Sequence, residues 1–133
     1  MNDTNNINTT EAVTAQEVGV ALVELFNVDK GGEVVEQYYH QDIVSEEPFE
    51  GEGGRVEGMD ALLAKHETWF ASHEIHSDRA EGPYMGRNAE EFIVKFNMDV
   101  TPKGSERVQL EELGVYTVRD GKIVHEAFYY AAE

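Results

Sequence analysis

The fold of this chain is decided near its end, by the stretch 114-GVYTVRDGKIVHEAFYY-130. Asp120 and Gly121 form a turn signal between two runs of residues rich in β-branched and aromatic side chains, which predicts a β-hairpin. Further upstream, apolar residues occupy every second position from Phe92 to Val100, and most of the residues between them are polar. This alternation is typical of a strand with one buried face. The second half of the chain is therefore expected to form a run of antiparallel strands, which also includes residues 75–84.

The first half of the chain shows helical spacing instead. Thr14 and Glu17 form a capping box, and apolar residues then recur at intervals of three and four. A second helix is expected after Gly32 and a third after Gly58, with a short strand at 42–49 and a glycine-rich loop between them. Three helices ahead of an antiparallel sheet define the α+β class. A strongly curved sheet folded around a long helix leaves a cavity at its open end.

Length and composition narrow the class of protein. The chain has 133 residues, enough for one domain, and no cysteine, which excludes disulfides and thiolate metal sites. Its formal charge of −17 repels nucleic acid and anionic membranes, so neither is an expected partner. No apolar run is long enough to span a membrane, and the N-terminus lacks the pattern of a signal peptide. We expect a flexible tail at 1–12, a domain at 13–133 and a cytoplasmic location.

Glu47 is the first candidate catalytic residue. It ends the expected short strand and precedes Pro48, which restricts the residue before it to extended geometry and so fixes the direction of its side chain. A carboxyl group placed beside apolar walls has a raised pKa and can exchange protons near neutral pH. The simpler interpretation is a solvated glutamate in an acidic loop.

Glu112 is the second candidate, on the strand expected over residues 106–119. If its face of the strand points inward, Glu112 lies among apolar side chains, with Tyr116 as its natural hydrogen-bond partner. Gly114, between them, would leave room for a ligand. The opposite face still carries Leu113 and Val115. Apolar side chains on an exposed sheet face favour a homodimer formed through the sheet.

The inward face of the last strand depends on the hairpin that precedes it. A three-residue loop with a glycine bulge places Glu126 and Phe128 inside, whereas a two-residue loop places His125 and Tyr129 there. We favour the three-residue loop, because Phe128 and Tyr130 would then extend the apolar wall.

The third helix places His66, Trp69 and His73 along one stripe. A histidine facing the cavity could act as a base or orient a carboxylate, although most helix histidines are structural. His66 and His73 are two helical turns apart, about 10 Å, which is too far to share a metal ion. No metal site is expected.

The order of these parts resembles the SnoaL-like family of the nuclear transport factor 2-like superfamily, from about Val18 to Tyr130. SnoaL-like chains commonly end with an aromatic-rich strand after an Asp-Gly-Lys-Ile hairpin, and the C-terminal stretch quoted above is similar. Residues 39–49, Tyr-His-Gln-Asp-Ile-Val-Ser-Glu-Glu-Pro-Phe, match the family's passage from the second helix into a strand. The resemblance implies a cone-shaped, cystatin-like fold with three helices packed on a curved sheet.

The superfamily includes ketosteroid isomerases, polyketide cyclases, dehydratases and many proteins of unknown role. Ketosteroid isomerases carry an Asp-Pro-Phe segment whose aspartate is the general base, and Glu-Pro-Phe at 47–49 falls in that place. The aspartate of the isomerase oxyanion hole aligns with Gly114, and its tyrosine with Ala21 or Leu22, so a steroid isomerase is not expected. SnoaL-like cyclases place an acidic residue on the same central strand, one inward step from Glu112.

Cofactor-independent proton transfer on an apolar, carbonyl-bearing small molecule is the first functional hypothesis, of an isomerase or cyclase kind. Glu47 or Glu112 would abstract a proton, and Tyr116, with His66, would stabilise the enolate. A non-catalytic small-ligand binder and a dimeric scaffold are the alternatives. No cofactor is expected. The residues expected to line the pocket are Trp69, Phe70, Val94, Phe96, Met98, Leu110, Gly114, Glu126, Phe128 and Tyr130.

Overall fold

A computed structural model describes residues 13–131, and the tail expected at 1–12 lies outside them. The helices are α1 (Ala15–Asn27), α2 (Gly31–Tyr38) and α3 (Met59–Ser72). The strands are β1 (Tyr39–Glu46), β2 (Arg55–Glu57), β3 (His73–Met85), β4 (Glu91–Pro102), β5 (Val108–Arg119) and β6 (Lys122–Tyr129). The predicted class, helices first and then a meander of strands, is confirmed. No helix within this part of the chain is long and apolar enough to cross a membrane, and the cytoplasmic location stays a prediction.

The six described strands form one curved sheet in the order β2-β1-β6-β5-β4-β3. Strands β3 to β6 are antiparallel neighbours, as expected, but β1 runs parallel to β6. The sheet is therefore mixed. No hairpin joins β1 to the meander, because a long segment containing α3 separates them in the chain. Such a long connection permits a parallel pairing, whereas a tight hairpin permits only an antiparallel one. Strand β2, inside the predicted loop, pairs with β1 and forms the edge.

Two element boundaries differ from the prediction. The short strand expected at 42–49 is shifted: α2 ends at Tyr38, Tyr39 opens β1 in an extended conformation, and β1 ends at Glu46, so Glu47 lies just beyond it. His73 was expected on the third helix, but it opens β3. Tyr39 and His73 each follow a helix without any intervening loop, so helical periodicity in the sequence carries no signal of where the chain straightens.

Helix α1 begins with the predicted capping box. The Thr14 hydroxyl accepts a hydrogen bond from the backbone N–H of Glu17 at 3.1 Å, and the Glu17 carboxylate accepts one from the backbone N–H of Thr14 at 2.9 Å. Its inner side packs across β3 and β4, where Phe26 meets the ring of Phe96 edge to face. Buried Val18 lies on the same side. Helix α1 thus covers one part of the inner sheet face. Helix α3 packs against another part, which includes β1.

Gly19 is the point of closest approach between α1 and the sheet, and we expect Gly19→Ala to destabilise the fold by about 1–2 kcal/mol. A Cβ atom there would lie 2.7 Å from the Pro83 side chain and 3.0 Å from the Phe92 ring. Overpacking of this kind costs about 1–3 kcal/mol, which exceeds the gain of about 1 kcal/mol in helix propensity. Gly32→Ala in α2, where a Cβ would meet nothing within 4 Å, is the control and should be neutral or stabilising. Urea unfolding measures both, and equal effects would contradict the packing argument.

The last hairpin differs from the predicted one. Arg119 pairs with Lys122, so the loop contains only Asp120 and Gly121. Both loop residues have positive φ angles, 51° and 75°, which is the geometry of a type I′ turn. The predicted three-residue loop is therefore wrong.

A bulge inside β6 nevertheless restores the predicted face. Thr117 pairs with His125 while Val118 pairs with Ile123, which leaves Val124 as an extra residue without a partner on β5. An extra residue reverses which side chains point inward beyond it. As predicted, Glu126 and Phe128 face the interior, and Glu126 is only 1% exposed.

The faces of β5 follow the prediction as well. Tyr116 and Val118 are buried on the inner face, together with Gly114. On the outer face, Leu113 is 43% exposed and pairs directly with Tyr129 of β6, which is 56% exposed. The outer face therefore carries the apolar surface from which the sequence predicts a dimer.

Candidate functional site

Six polar side chains form one hydrogen-bonded chain on the inner side of the sheet. We call them the interior network: Tyr39, Ser45, Glu47, Lys65, Glu126 and Tyr130. They come from β1, α3, and the end of β6, three parts of the chain that are far apart in sequence. Burying a polar group away from water costs free energy unless the group is paired. The interior network is therefore the candidate functional site.

Glu126 is the most buried carboxylate of the network. The Tyr39 hydroxyl donates to one of its carboxylate oxygens, and the Ser45 hydroxyl donates to the other at 2.6 Å. Ser45 itself is fully buried. Burial, followed by the charge of Glu126, raises the pKa of Tyr39, so its hydroxyl keeps its proton and stays a donor. Each carboxylate oxygen of Glu126 therefore accepts a hydrogen bond, and Glu126 holds the Tyr39 and Ser45 hydroxyl groups in place.

Lys65 connects the two ends of the network. Its ammonium donates to the Ser45 hydroxyl at 2.7 Å and pairs with the Glu47 carboxylate at 2.6 Å. The same nitrogen lies 5.3 Å from the centre of the Phe128 ring, within reach of a cation–π contact. Sequence reasoning missed this residue, because lysines are usually solvated. One signal was available: Lys65 follows buried Leu62 by three positions and so lies on its side of α3.

Glu47 faces inward, but both of its oxygens are engaged. Besides the Lys65 ion pair, it accepts a hydrogen bond from the Tyr130 hydroxyl at 2.7 Å. Its backbone N–H donates to the carbonyl of Gly54, also at 2.7 Å, which fixes the strand end. Each carboxylate oxygen of Glu47 thus already has a protein partner that holds it in place. The geometry supports a positioning role for Glu47, and its predicted catalytic role remains a prediction.

Glu112 is the inward carboxyl group that stands outside the network. It is half-buried on the inner face of β5, and within residues 13–131 no hydrogen bond or ion pair engages it. Burial, followed by the charges of Glu47 and, less strongly, Glu126, raises its pKa to about 7, although Lys65 opposes the shift. A carboxyl group with this pKa is ionised and protonated in comparable amounts at neutral pH, as a general acid or base should be.

Tyr116 does not partner Glu112 in the way predicted. Its ring lies across Gly114: a Cβ on that glycine would stand 2.8 Å from a ring carbon and 3.1 Å from the hydroxyl oxygen. The space at Gly114 that was expected to admit a ligand is therefore filled by Tyr116, whose ring also stacks on Phe92 at 4.8 Å. Burial, followed by the charge of Glu126, raises the pKa of Tyr116, so it stays a neutral hydroxyl.

His66 is half-buried beside Lys65 on α3. Burial lowers its pKa, so its imidazole is neutral at pH 7 and can donate one hydrogen bond. His73 has a structural role instead, because its ring stacks on Trp69 at 3.6 Å and its Nδ1 lies 3.0 Å from the Trp69 carbonyl oxygen. Within the described residues, no group of three potential ligands could hold a metal ion.

The residues predicted to line a pocket fall into three sets. Val94 and Phe96 are buried on the inner face, where Phe96 packs against α1, so they form core. Phe70 is 62% exposed and was wrongly assigned to the wall, because it lies about 100° around α3 from Trp69. The third set comprises Trp69, half-buried on α3 against His73, and the remaining residues of the inner side, which are Met98, Leu110, Gly114, Glu126, Phe128 and Tyr130.

Two depressions occur elsewhere on the surface. One, of about 320 Å³, lies where α3 meets β3 and the turn at 103–105, and the other, of about 400 Å³, lies beside the start of α1. Neither is lined by a residue of the interior network. The apolar pocket beside the network stays a prediction.

Comparisons with known proteins agree with this architecture. The family model of the SnoaL-like domain matches residues 13–130. A Mesorhizobium loti protein, provisionally described as a SnoaL-like polyketide cyclase, has a solved structure with 39% sequence identity and a TM-score of 0.83, over 89% of this chain and all of its own. No curated protein sequence matches significantly.

More distant solved structures share the fold alone. A Xanthomonas campestris protein of unknown function with a cystatin-like fold has 12% identity and a TM-score of 0.72, covering 90% of this chain and 92% of that one. A Bacillus subtilis protein provisionally described as an isomerase has 21% identity and a TM-score of 0.65, with coverages of 88% and 86%.

Proposed function

Because the chain belongs to the SnoaL-like family, we propose that it catalyses cofactor-independent proton transfer on an apolar, carbonyl-bearing small molecule. One observation carries the proposal: Glu112 is an inward carboxyl group with no protein partner among the described residues, beside a network in which the other carboxylates are fully engaged. Its pKa of about 7, raised by burial, suits the removal and return of a proton at neutral pH.

Glu112 acts as the base in this proposal. It removes a proton from the carbon next to the substrate carbonyl, and the electron pair of that C–H bond moves to give an enolate. The protonated Glu112 then returns the proton to a different carbon, which completes an isomerisation. In a cyclase, the enolate carbon instead attacks a second carbonyl of the same molecule, and Glu112 delivers its proton to the new alkoxide. Neutral His66 is a hydrogen-bond donor for the developing charge.

The test uses β-tetralone, an apolar ketone with acidic protons next to its carbonyl. In deuterium oxide, proton NMR follows the loss of these protons as they are exchanged for deuterium. We expect the native protein to accelerate the exchange above the rate in buffer and above that with unfolded protein, and Glu112→Gln to remove most of the acceleration. Binding of β-tetralone without faster exchange would instead support the alternative, a non-catalytic small-ligand binder.

A homodimer through the outer sheet face is a second proposal. Its support is the exposed pair formed by Leu113 and Tyr129 on adjacent strands. We expect Leu113→Glu to raise the dimer dissociation constant about tenfold or more, because a charge in an apolar contact loses its hydration. Leu63→Glu on α3, where the leucine is 48% exposed, is the matched control and should leave the dimer intact. Light scattering over micromolar concentrations measures both, and a monomeric wild type would contradict the proposal.

A further inference from the structure

We propose that Lys65 binds the carbonyl oxygen of the substrate, with a third ammonium proton to which no hydrogen-bond acceptor among residues 13–131 is bound. This inference rests on the proposed function and identifies the group that faces the substrate oxygen. Lys65 lies in the interior network, between the Ser45 hydroxyl and the Glu47 carboxylate, and it is the only lysine or arginine of residues 13–131 that joins this network.

The unused proton follows from counting donors. An ammonium group has three N–H bonds. One donates to the Ser45 hydroxyl at 2.7 Å and a second to Glu47 at 2.6 Å, and no acceptor within the described residues engages the third. The side chain is 19% exposed, so part of it remains accessible.

The network also fixes the direction in which the third N–H points. The Ser45 hydroxyl already donates its single proton to Glu126, so it can only accept from Lys65. Glu47 is held in turn by the Tyr130 hydroxyl at 2.7 Å. Two anchored acceptors leave the ammonium little freedom, and a donor held in place before the reaction stabilises a developing negative charge without reorganising.

The position of Lys65 relative to Glu112 fits a shared substrate. Both groups face the interior, and the charge of Lys65 acts on Glu112 strongly enough to oppose the rise in its pKa. A carbonyl oxygen at Lys65 would present the neighbouring carbon toward Glu112. When the proton moves to Glu112, negative charge appears on the oxygen beside the ammonium. Lys65 contributes a hydrogen bond throughout and transfers no proton.

The experiment compares two probes that differ by one oxygen atom, β-tetralone and the hydrocarbon tetralin. We expect Lys65→Met to weaken β-tetralone binding about tenfold or more, since hydrogen bonds from charged groups are among the stronger ones, and to leave tetralin binding unchanged. Lys65→Arg, which keeps the charge, should retain part of the ketone preference. The matched control is Lys95→Met, a half-buried lysine on the outer face of β4 that should affect neither probe.

A purely structural role for Lys65, tying α3 to β1, would weaken both probes equally and would overturn the inference. Unchanged ketone binding in Lys65→Met would overturn it too. If that variant does not fold, Lys65→Gln keeps a donor without the charge and is judged by the same two probes. Failure of the proposed function looks different: the wild type would prefer β-tetralone to tetralin through Lys65, yet would not accelerate deuterium exchange. A wild type that binds neither probe overturns both proposals.

Discussion

Glu126→Ala is expected to destabilise the fold by about 3–5 kcal/mol, which is a large part of the stability of a domain of this size. The substitution removes the acceptor of two buried hydroxyl groups, those of Tyr39 and Ser45. A buried polar group that loses its partner costs about 1–3 kcal/mol. The missing side chain also leaves a cavity at a position that is 1% exposed.

Urea unfolding at neutral pH measures this loss. Glu126→Gln is the graded comparison, because it keeps the volume and one acceptor, and we expect it to cost about 1–3 kcal/mol. Glu111→Ala is the surface control: its side chain is 69% exposed on the outer face of β5, so its effect should stay within about 0.5 kcal/mol. A Glu126→Ala protein within about 1 kcal/mol of the wild type would show that the network does not support the fold.

Glu112→Gln is expected to lower the rate of β-tetralone deuterium exchange by about 10²–10⁴-fold, the usual contribution of a positioned general base. Glutamine keeps the shape of the side chain and removes only its ability to accept a proton. Glu111→Gln, one position away on the opposite face of the same strand, is the matched control and should leave the rate unchanged. An unchanged rate in Glu112→Gln would exclude Glu112 as the base and would return Glu47 to that role.

The pH dependence gives this prediction a second measurement. Because only ionised Glu112 can accept a proton, the wild-type kcat/KM should rise with pH and level off above its pKa of about 7. The residual rate of Glu112→Gln should lack this inflection. If the inflection persists in the variant, a different group titrates.

Stability should change in the opposite direction. Burial raises the pKa of Glu112 from its ordinary 4.5 to about 7, so the folded protein disfavours the ionised form. The wild type therefore loses stability as pH rises from about 4.5 through 7, whereas a glutamine does not titrate. Above pH 7, Glu112→Gln should be more stable than the wild type by about 1–3 kcal/mol, after allowance for its partial exposure. Urea unfolding at pH 5 and pH 8, on the order of one unit or more to either side of that pKa, checks the sign.

Local sequence patterns predicted most of the helices and strands, and they showed that β5 has two distinct faces. The capping box at Thr14, the turn at Asp120 and the alternation along β4 and β5 all depend on residues within a few positions of one another. Local backbone geometry and side-chain period are therefore readable from the sequence. The same alternation divides β5 into two faces, but the inward direction of Glu112 depends on which face packs against the rest of the fold, and only the structure shows it.

The end of β6 shows where local patterns stop being sufficient. The sequence correctly placed Glu126 and Phe128 inside, but for the wrong reason, a three-residue loop. The structure has a two-residue loop and a bulge at Val124 that reverses the alternation a second time. The position of a bulge depends on the contacts that the strand makes with the rest of the fold. The residues of the turn alone do not predict it.

Local patterns predict an α+β chain and its candidate carboxyl groups, whereas only the packing of distant segments shows which of those groups have protein partners. Ser45 and Glu126 are 81 positions apart and meet because β1 runs parallel to β6. The packing of α3 against β1 also brings Lys65 to Glu47, so Glu47 has an ion-pair partner while Glu112 has no partner among the described residues. Periodicity reports the direction of each side chain relative to its own strand or helix, but contacts between distant segments depend on how the whole chain packs.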